Sequence, residues 1–335
     1  MSDAASDIGV IGAGSWGTAL AIQLSRAGQS PALWGREPEV IDSLINTRCN
    51  SVFLPDIIVP EAVQITADLN ELVQSHRDLL ICVPSHVFRP ILEVARPHMR
   101  DDARVAWATK GFEVSTGKLP HDVAEETLGT SVPLAVLSGP TFAREVGQGL
   151  PTAMTVASTD SKFAEDLAAS LSAESFRTYT SSDVIGVEVG GAVKNVLAIA
   201  TGMSDGLGFG ANTRVALITR GLAELTRLGV ALGGSPDTFM GLSGMGDLIL
   251  TCTDDQSRNR RMGLGLAAGK SVEEMAQEIG QVVEGVKAAA AVHKVAGELG
   301  VEMPICEQAY KLLYEDGSPE DAVQALMRRE VKSET

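Results

Sequence analysis

Short apolar runs and amphipathic stretches alternate along the first half of the chain. The apolar runs predict buried strands at residues 8–11, 31–34, 79–83, 105–108, 134–137 and 153–157. The stretches between several of them carry apolar residues at helical spacing and predict helices at residues 16–27, 86–95, 118–128 and 162–171. This alternation predicts an α/β fold with a Rossmann-type, doubly wound, mostly parallel sheet and right-handed crossovers.

The strand pattern ends near Ser182, and helical periodicity continues beyond it. Helices are predicted at residues 184–200, 212–228, 272–278, 285–299 and 305–314. No Pro/Ser-rich linker separates the two halves, so we place the boundary at a helix start near Asp183. We therefore predict a dinucleotide-binding Rossmann domain at residues 1–182 and an all-α C-terminal substrate and catalytic domain at residues 183–335.

The charge of the chain restricts its partners. The net charge is −16, from 27 basic and 43 acidic side chains. A surface this acidic repels a phosphate backbone, which argues against nucleic acid and anionic membranes as partners. An anionic substrate would need a local cluster of positive charge set against that background.

The cysteines and histidines form no metal-binding pattern. The 4 cysteines include no CxxC pair and the 5 histidines are scattered, which predicts a reducing compartment and no metal site. Residues 1–7 lack the basic and apolar regions of a signal peptide. No apolar run approaches the ~20 residues that span a bilayer. We expect a cytoplasmic protein without membrane insertion.

A glycine motif follows the first predicted strand. Gly12, Gly14 and Gly17 form a GxGxxG pattern between that strand and a helix. In this context Gly12 permits the tight turn, Gly14 admits a pyrophosphate to the backbone, and Gly17 allows helix and strand to pack closely. The alternative is a Gly-rich turn in an unrelated α/β protein.

The end of the second predicted strand bears on the choice of cofactor. NAD-specific sites usually carry Asp or Glu there, whereas this chain has Gly35 and Arg36. A guanidinium suits a 2′-phosphate. Glu37 weakens this reasoning because it could swing inward, and Arg36 could also be an ordinary exposed loop residue. We expect NADP(H) to be preferred, with NAD(H) possible and no metal cofactor.

Further segments carry residues suited to hydride transfer, which needs a proton donor and positive charge near a carbonyl oxygen. Lys110 follows a predicted strand, Lys194 lies among small and apolar helical neighbours, and Asp247 precedes an apolar run. Residues 256–261, QSRNRR, form the local positive cluster.

Each of these residues also has an ordinary structural interpretation. A lysine on a helix is usually solvated, and Lys110 and Asp247 could form plain ion pairs. A run of charges is usually a solvated face. We keep that interpretation for Arg260 and Arg261, which would neutralise or cap a helix.

Several long segments also resemble one known family. They are GAGSWGTAL, ATKGFE, LSGPTFAREV, EVGGAVKNVLAIATG, GLGFGANTR, GLSGMGDLILTCTDDQSRNRR and VVEGV, in order from Gly12 to Gly285. The chain thereby resembles the bacterial sn-glycerol-3-phosphate dehydrogenases that use NAD or NADP. The resemblance implies reversible NAD(P)H-dependent reduction of dihydroxyacetone phosphate to sn-glycerol 3-phosphate, which supplies the glycerol backbone for phospholipid synthesis.

The resemblance also implies roles for single residues. Lys194 matches the family's proton donor and acceptor, and Lys110 and Asp247 match substrate-contacting positions. To these we add Asn195, which could orient Lys194 or the substrate hydroxyl. The other implied substrate contacts are Gly139, Thr141, Ser257, Arg258 and Asn259. The cofactor contacts include the three motif glycines. They are Gly12, Gly14, Ser15, Trp16, Gly17, Arg36, Phe53, Lys110, Ala143, Arg258, Val282 and Glu284.

The chain departs from the family pattern at two positions. Relatives often have Ser where this chain has Thr141, which keeps the hydroxyl, and many have Tyr where it has Phe53, which keeps only the ring surface. We expect neither change to impair the reaction.

Two other functions stay open at this point. One is a related two-domain dehydrogenase for a β-hydroxy acid or ketopantoate, which would not need the arginine loop at residues 257–261. The other is a non-catalytic NADP(H)-sensing module, which would not need Lys194 and Asp247. The Ala-rich helices could also pack across a homodimer.

Overall fold

The structure is a computed structural model that describes residues 8–315 and 317–328. The prediction about a signal peptide at residues 1–7 lies outside the described residues. The strands are β1 (Ile8–Ile11), β2 (Ala32–Trp34), β3 (Cys49–Asn50), β4 (Leu54–Ile58), β5 (Gln64–Thr66), β6 (Asp78–Ile81), β7 (Arg104–Trp107), β8 (Leu134–Ser138), β9 (Thr152–Ala157) and β10 (Phe176–Ser181).

The helices follow the same chain order. They are α1 (Ser15–Arg26), α2 (Pro38–Thr47), α3 (Leu69–Ser75), α4 (Ser85–Ala95), α5 (Pro120–Leu128), α6 (Ala143–Gln148), α7 (Ser161–Leu171), α8 (Val184–Gly206), α9 (Gly210–Ala231), α10 (Pro236–Phe239), α11 (Asp247–Thr253), α12 (Arg258–Ala267), α13 (Val272–Ile279), α14 (Glu284–Leu299), α15 (Pro304–Tyr314) and α16 (Pro319–Met327). A 3-10 turn spans Arg96–His98 and a π-helical turn spans Leu242–Gly246.

Within the described residues, one eight-stranded sheet has the order β10-β9-β8-β7-β6-β1-β2-β5. Neighbouring strands are parallel except β8 and β9. Strand side chains alternate between two hydrophobic clusters, with Val10 and Ala106 in one and Ile11 and Trp107 in the other. Helices supply most of the other residues of both clusters. The predicted Rossmann-type, doubly wound, mostly parallel sheet is therefore confirmed.

Some elements were not predicted from the apolar pattern. β5 and β10 lie at the sheet edges, and in β10 only Phe176 is buried, so the strand carries no apolar run. β3 and β4 form a separate antiparallel pair. Helices α3 and α6 span only 7 and 6 residues, which is too short for a helical period to stand out.

The described chain divides into two compact units. The first ends at Glu113 and continues through Lys118–Glu188, and the second contains Val114–Gly117 and the chain from Val189 onward. The units divide within α8, and the domain ranges 1–182 and 183–335 stay a prediction. From α8 onward every element of the described residues is a helix or a helical turn, as the sequence predicts.

Helix α8 is long and apolar. Its 23 residues have a mean hydropathy of 1.5, so by length and composition alone this helix could cross a membrane. The expectation that no apolar run approaches that length was therefore wrong. However, 83% of its apolar window is buried inside the protein, as in the core helix of a globular fold.

Candidate functional site

The glycine turn, residues 12–17, joins β1 to α1. The N–H of Gly12 donates to the carbonyl of Trp34 at 2.9 Å, and its φ of 119° is one that glycine adopts readily. A Cβ on Gly17 would lie 1.9 Å from the Gly12 carbonyl oxygen. The helix can pack this closely on the turn only because Gly17 has no side chain.

Gly14 differs from these two glycines. A Cβ there would meet no atom within 4 Å, so the fold itself leaves that space open. Gly14 caps α1 without a side-chain hydrogen bond, and the first turn of α1 contains no acidic residue. The first N–H groups, including those of Ser15 and Trp16, therefore sit at a positive helix end suited to an anion. This geometry fits the pyrophosphate of a dinucleotide.

Asn50 supports the glycine turn, and sequence reasoning missed it. Its side-chain amide donates to the Ala13 carbonyl at 2.8 Å and to Thr18 Oγ1 at 2.9 Å. Its Oδ1 accepts from the N–H of Phe53 at 3.0 Å, and Asn50 is fully buried. One amide thus ties the turn to the β3–β4 segment that carries Phe53, in the same unit.

Arg36 lies on the surface beside β2, with its side chain 73% exposed. Its Nε and Nη2 donate to Glu37 Oε1 at 3.1 and 2.7 Å. The Glu37 carboxylate therefore already accepts from two guanidinium nitrogens of Arg36 that would otherwise donate to a 2′-phosphate. Trp16, Phe53 and Ala143 are half-buried and pack against the same hydrophobic cluster as β1 and α1.

Lys110, Gly139 and Thr141 meet beyond the carboxyl ends of β7 and β8. Lys110 Nζ lies 3.5 Å from the Gly139 carbonyl oxygen, and Thr141 Oγ1 donates to the same oxygen at 3.2 Å. A Cβ on Gly139 would lie 2.9 Å from Met154 Cα, so glycine is needed for this close approach. The structure thus brings together the three predicted contacts of the first unit.

In the second unit, Lys194 lies in a buried cluster with Asp247 and Thr251. Lys194 Nζ donates to Asp247 Oδ1 and to Thr251 Oγ1, both at 2.8 Å. Lys194 is 7% exposed and Asp247 1%. The interpretation of Lys194 as a solvated helix residue is therefore excluded. Thr251 was missed, although it lies one helical turn after Asp247 on α11.

A π-helical turn positions Asp247 for this contact. Leu242–Gly246 precedes Asp247 directly, and a Cβ on Gly190 of α8 would lie 2.3 Å from the Ser243 carbonyl oxygen. A Cβ on Gly244 would lie 2.2 Å from the Phe239 carbonyl oxygen. Glycines at both positions let the backbones touch, which brings the carboxylate of Asp247 to the amine of Lys194.

Asn195 and Asn259 bond to each other. Asn259 Nδ2 donates to Asn195 Oδ1 at 2.8 Å, and Asn259 Oδ1 accepts from the N–H of Gly285 at 2.8 Å. Asn195 Oδ1 thus accepts from Asn259, and the role of Asn195 in orienting Lys194 or the substrate stays a prediction. Because the Asn259 side chain is used in this way, its backbone N–H at the start of α12 is the group suited to a ligand.

Arg258 opens α12 after Ser257, whose Oγ accepts from the N–H of Arg260 at 3.2 Å. Arg258 Nη1 donates to Gln281 Oε1 at 3.3 Å. Burial lowers the pKa of Arg258 below its usual value, an effect that the charge of Glu284 opposes. The predicted residues Arg258 and Glu284 are thus neighbours, next to Val282, which is 40% exposed. Gln281 was not predicted.

The structure corrects the interpretation of Arg260. It is 7% exposed and forms ion pairs with Asp205 and Asp255, so it is not part of a solvated face. Arg261 is exposed, as predicted. Among the described residues, no group of three or more His, Cys, Asp or Glu side chains could hold a metal ion.

Comparison with known proteins links both units to one family. Two family models, the N-terminus and C-terminus of NAD-dependent glycerol-3-phosphate dehydrogenase, match residues 7–164 and 183–324. The glycerol-3-phosphate dehydrogenase [NAD(P)+] of Tolumonas auensis is 56% identical over 333 residues, which is 99% of this chain and 100% of that protein. That of Aeromonas hydrophila is 57% identical over 98% of both chains.

A solved structure extends this similarity. The glycerol-3-phosphate dehydrogenase of Coxiella burnetii is 46% identical and superposes with a TM-score of 0.93, covering 96% of this chain and 98% of that one.

Proposed function

Because the chain belongs to the NAD-dependent glycerol-3-phosphate dehydrogenase family, we propose that it interconverts dihydroxyacetone phosphate and sn-glycerol 3-phosphate with a nicotinamide cofactor. The observation that carries this proposal is the buried amine of Lys194, held by Asp247 and Thr251. When bound, the nicotinamide supplies or accepts the hydride.

Lys194 Nζ acts as the general acid in reduction and gives its proton to the carbonyl oxygen of the ketone. In oxidation the same amine takes the proton of the alcohol. Asp247 Oδ1 and Thr251 Oγ1 accept hydrogen bonds from Nζ and hold the amine in one orientation. Burial excludes water from this contact.

The turn at residues 257–259 binds the substrate phosphate. Arg258 offers a guanidinium suited to a phosphate, and the first N–H groups of α12 add the positive end of a helix. The Asn195–Asn259 hydrogen bond of 2.8 Å connects this turn to the residue next to Lys194. The acid and the phosphate-binding turn are therefore joined within one unit.

In the first unit, the open space at Gly14 and the uncapped start of α1 receive the dinucleotide pyrophosphate. Lys110, with Gly139 and Thr141, contacts the substrate. Arg36 favours NADP(H) over NAD(H), since its guanidinium attracts a 2′-phosphate. The Glu37 carboxylate on Arg36 limits that preference, so NAD(H) is also accepted.

We further propose that the enzyme works in the cytoplasm, where its product supplies phospholipid synthesis. A homodimer is a separate proposal, supported by apolar exposure on α9, where Val215 is 61% exposed. Sedimentation equilibrium at several protein concentrations tests it, and a constant monomer mass would contradict it.

The decisive experiment measures NADPH oxidation with dihydroxyacetone phosphate, with β-keto acids and with ketopantoate. Turnover restricted to the phosphorylated ketone supports the proposal. Turnover of a carboxylate substrate would instead identify a related hydroxy-acid dehydrogenase. Tight NADPH binding without turnover of any of these substrates would identify a sensing module.

The role of Lys194 is tested by Lys194→Ala, which should lower kcat by about 10²–10⁴-fold while NADPH binding changes little. Lys162→Ala, at a lysine with 75% of its side chain exposed, is the matched control and should behave like the wild type. A loss below about tenfold in Lys194→Ala would remove the proposed general acid.

A further inference from the structure

Arg260 is a buried guanidinium directly beside the turn at residues 257–259, and none of the roles proposed above uses it. Its Nε donates to Asp255 Oδ1 at 2.8 Å, and its Nη1 donates to Asp205 and to the carbonyl oxygen of Cys252, the latter at 3.3 Å. Its own N–H donates to Ser257 Oγ. Arg260 thus contacts Cys252 on α11 and both Asp255 and Ser257 in the loop that joins α11 to α12.

We propose that Arg260 is a positioning residue for phosphate binding, and that its guanidinium holds Arg258 and the first N–H groups of α12 at the proper place relative to Lys194. This inference rests on the proposed function, since it assigns a support to the same phosphate-binding turn. Arg260 itself does not touch the ligand.

The contact with Asp205 gives the inference its geometric basis. Asp205 and Lys194 belong to the same helix, α8, about three turns apart. Arg260 therefore fixes the start of α12 against the helix that carries the proposed general acid. A shift of this turn along α8 would change the distance between the bound phosphate and Lys194 Nζ, and with it the position of the reacting carbonyl relative to that amine.

Backbone packing makes this attachment tight. A Cβ on Gly202 of α8 would lie 2.1 Å from the Arg260 carbonyl oxygen, and a Cβ on Gly263 of α12 would lie 2.1 Å from the Ile199 carbonyl oxygen. The two helices therefore touch through glycines on both sides. In addition to this backbone packing, the guanidinium of Arg260 forms an ion pair with Asp205 of α8.

The charges are consistent with a permanent ion pair. Burial lowers the pKa of Arg260, but the hydrogen bonds and charges of Asp205 and Asp255 outweigh this and raise it above its usual value. Arg214 Nε also donates to both oxygens of Asp205, at 3.0 and 2.8 Å. An arginine suits this position because its planar group presents donors from separate nitrogens to acceptors on different sides, whereas a lysine presents all of its donors from one atom.

The test compares Arg260→Gln with Arg261→Gln, the exposed neighbour, in steady-state assays with dihydroxyacetone phosphate. We expect Arg260→Gln to raise the KM for this substrate about tenfold to a hundredfold, the range for small displacements of a positioned group. The inhibition constant of inorganic phosphate should rise with it, because both report on the same turn. Arg261→Gln should change either value less than about threefold, and Arg260→Lys should recover only part of the loss.

A purely structural role predicts a different result. In that case Arg260→Gln would lower the melting temperature and the active fraction, while the folded enzyme kept its KM and its inhibition constant for phosphate. That outcome overturns the inference. Should Arg260→Gln not fold, Asp255→Ala removes only one bond to the guanidinium, at a side chain that is 70% exposed. It should still raise both constants at least about twofold, and unchanged constants would again overturn the inference.

The proposed function can fail separately. If the wild-type enzyme turned over no dihydroxyacetone phosphate, the function would be wrong, yet inorganic phosphate could still raise its melting temperature. If phosphate no longer raised the melting temperature of Arg260→Gln but still raised that of Arg261→Gln, this result alone would support the positioning role.

Discussion

Lys194 Nζ lies as close to Thr251 Oγ1 as to Asp247 Oδ1, at 2.8 Å in each case. Thr251 Oγ1 also donates to the backbone carbonyl of Asp247 at 2.6 Å. The hydroxyl proton is therefore directed at α11, and the oxygen lone pair is available to the amine. Thr251 fixes the direction of the amine without adding a charge.

We expect Thr251→Val to lower kcat by about tenfold to a hundredfold, because a hydrogen bond to a charged group is worth ~1.5–3 kcal/mol. Single-turnover reduction of dihydroxyacetone phosphate measures this loss at the chemical step. Thr251→Ser keeps the oxygen and should stay within about threefold of the wild type. Equal rates for Thr251→Val and Thr251→Ser would show that the hydroxyl has no role in the reaction.

The glycine turn predicts opposite results for two alanine substitutions. Gly17→Ala places a Cβ 1.9 Å from the Gly12 carbonyl oxygen, and overpacking of this kind costs ~1–3 kcal/mol. Gly14→Ala meets no atom within 4 Å, so its melting temperature should stay within about 2 °C of the wild type. Gly14→Ala should nevertheless weaken NADPH binding by about tenfold or more, since its methyl group enters the space left for the pyrophosphate. Calorimetric titration and thermal unfolding of both variants check these expectations, and normal NADPH affinity in Gly14→Ala would contradict the assignment of that space.

The Arg36–Glu37 pair predicts a change in cofactor preference. Arg36→Glu should raise the KM for NADPH about tenfold or more, with a much smaller effect on NADH, because it replaces a charged donor by a repelling carboxylate. Glu37→Gln should raise the preference for NADPH by up to about fivefold, since exposed ion pairs are worth ~0.2–1 kcal/mol. The ratio of kcat/KM for the two cofactors is the measurement. Equal effects of Arg36→Glu on NADPH and NADH would remove Arg36 from the choice of cofactor.

His121 and Glu188 predict how stability depends on pH. His121 Nδ1 lies 2.5 Å from Glu188 Oε2, and the N–H of His121 and Trp107 Nε1 both donate to Glu188 Oε1 at 3.0 Å. Burial acts to lower the pKa of His121, but the hydrogen bond and charge of Glu188 outweigh it and raise the pKa above 6.5. Burial raises the pKa of Glu188, which His121 partly offsets.

Both shifts mean that the folded protein binds protons more strongly than the unfolded chain. The contribution of His121 to the free energy of unfolding is therefore full below pH 6.5 and is lost as the pH rises through the folded pKa. Urea unfolding between about pH 6 and pH 9 measures this decline. His121→Asn should flatten it, and an unchanged slope in that variant would assign the dependence to other groups.

Local patterns were sufficient for much of this protein. Each predicted strand lies in the observed sheet, and the glycine motif forms the turn that its spacing predicts. Lys194 and Asp247 were recognised in separate segments, and the structure joins them. These features depend on short-range periodicity or on motifs whose glycines leave a clear signal.

Other features depend on contacts between distant parts of the chain. Asn50 binds Ala13 and Thr18 from a segment without any motif. The burial of Arg260 on α12 depends on its ion pair with Asp205 on α8. The sequence around Asp205 does not indicate that its partner lies on α12. No local pattern reveals which of several neighbouring arginines is buried, because that is decided by packing between helices.

The glycines of α8 restrict how the protein can change over evolutionary time. At Gly190 and Gly202 a backbone carbonyl lies where any Cβ would be, so even alanine is excluded unless the partner segment moves. A lineage under selection for a new substrate therefore cannot enlarge the side chains at these two positions one step at a time.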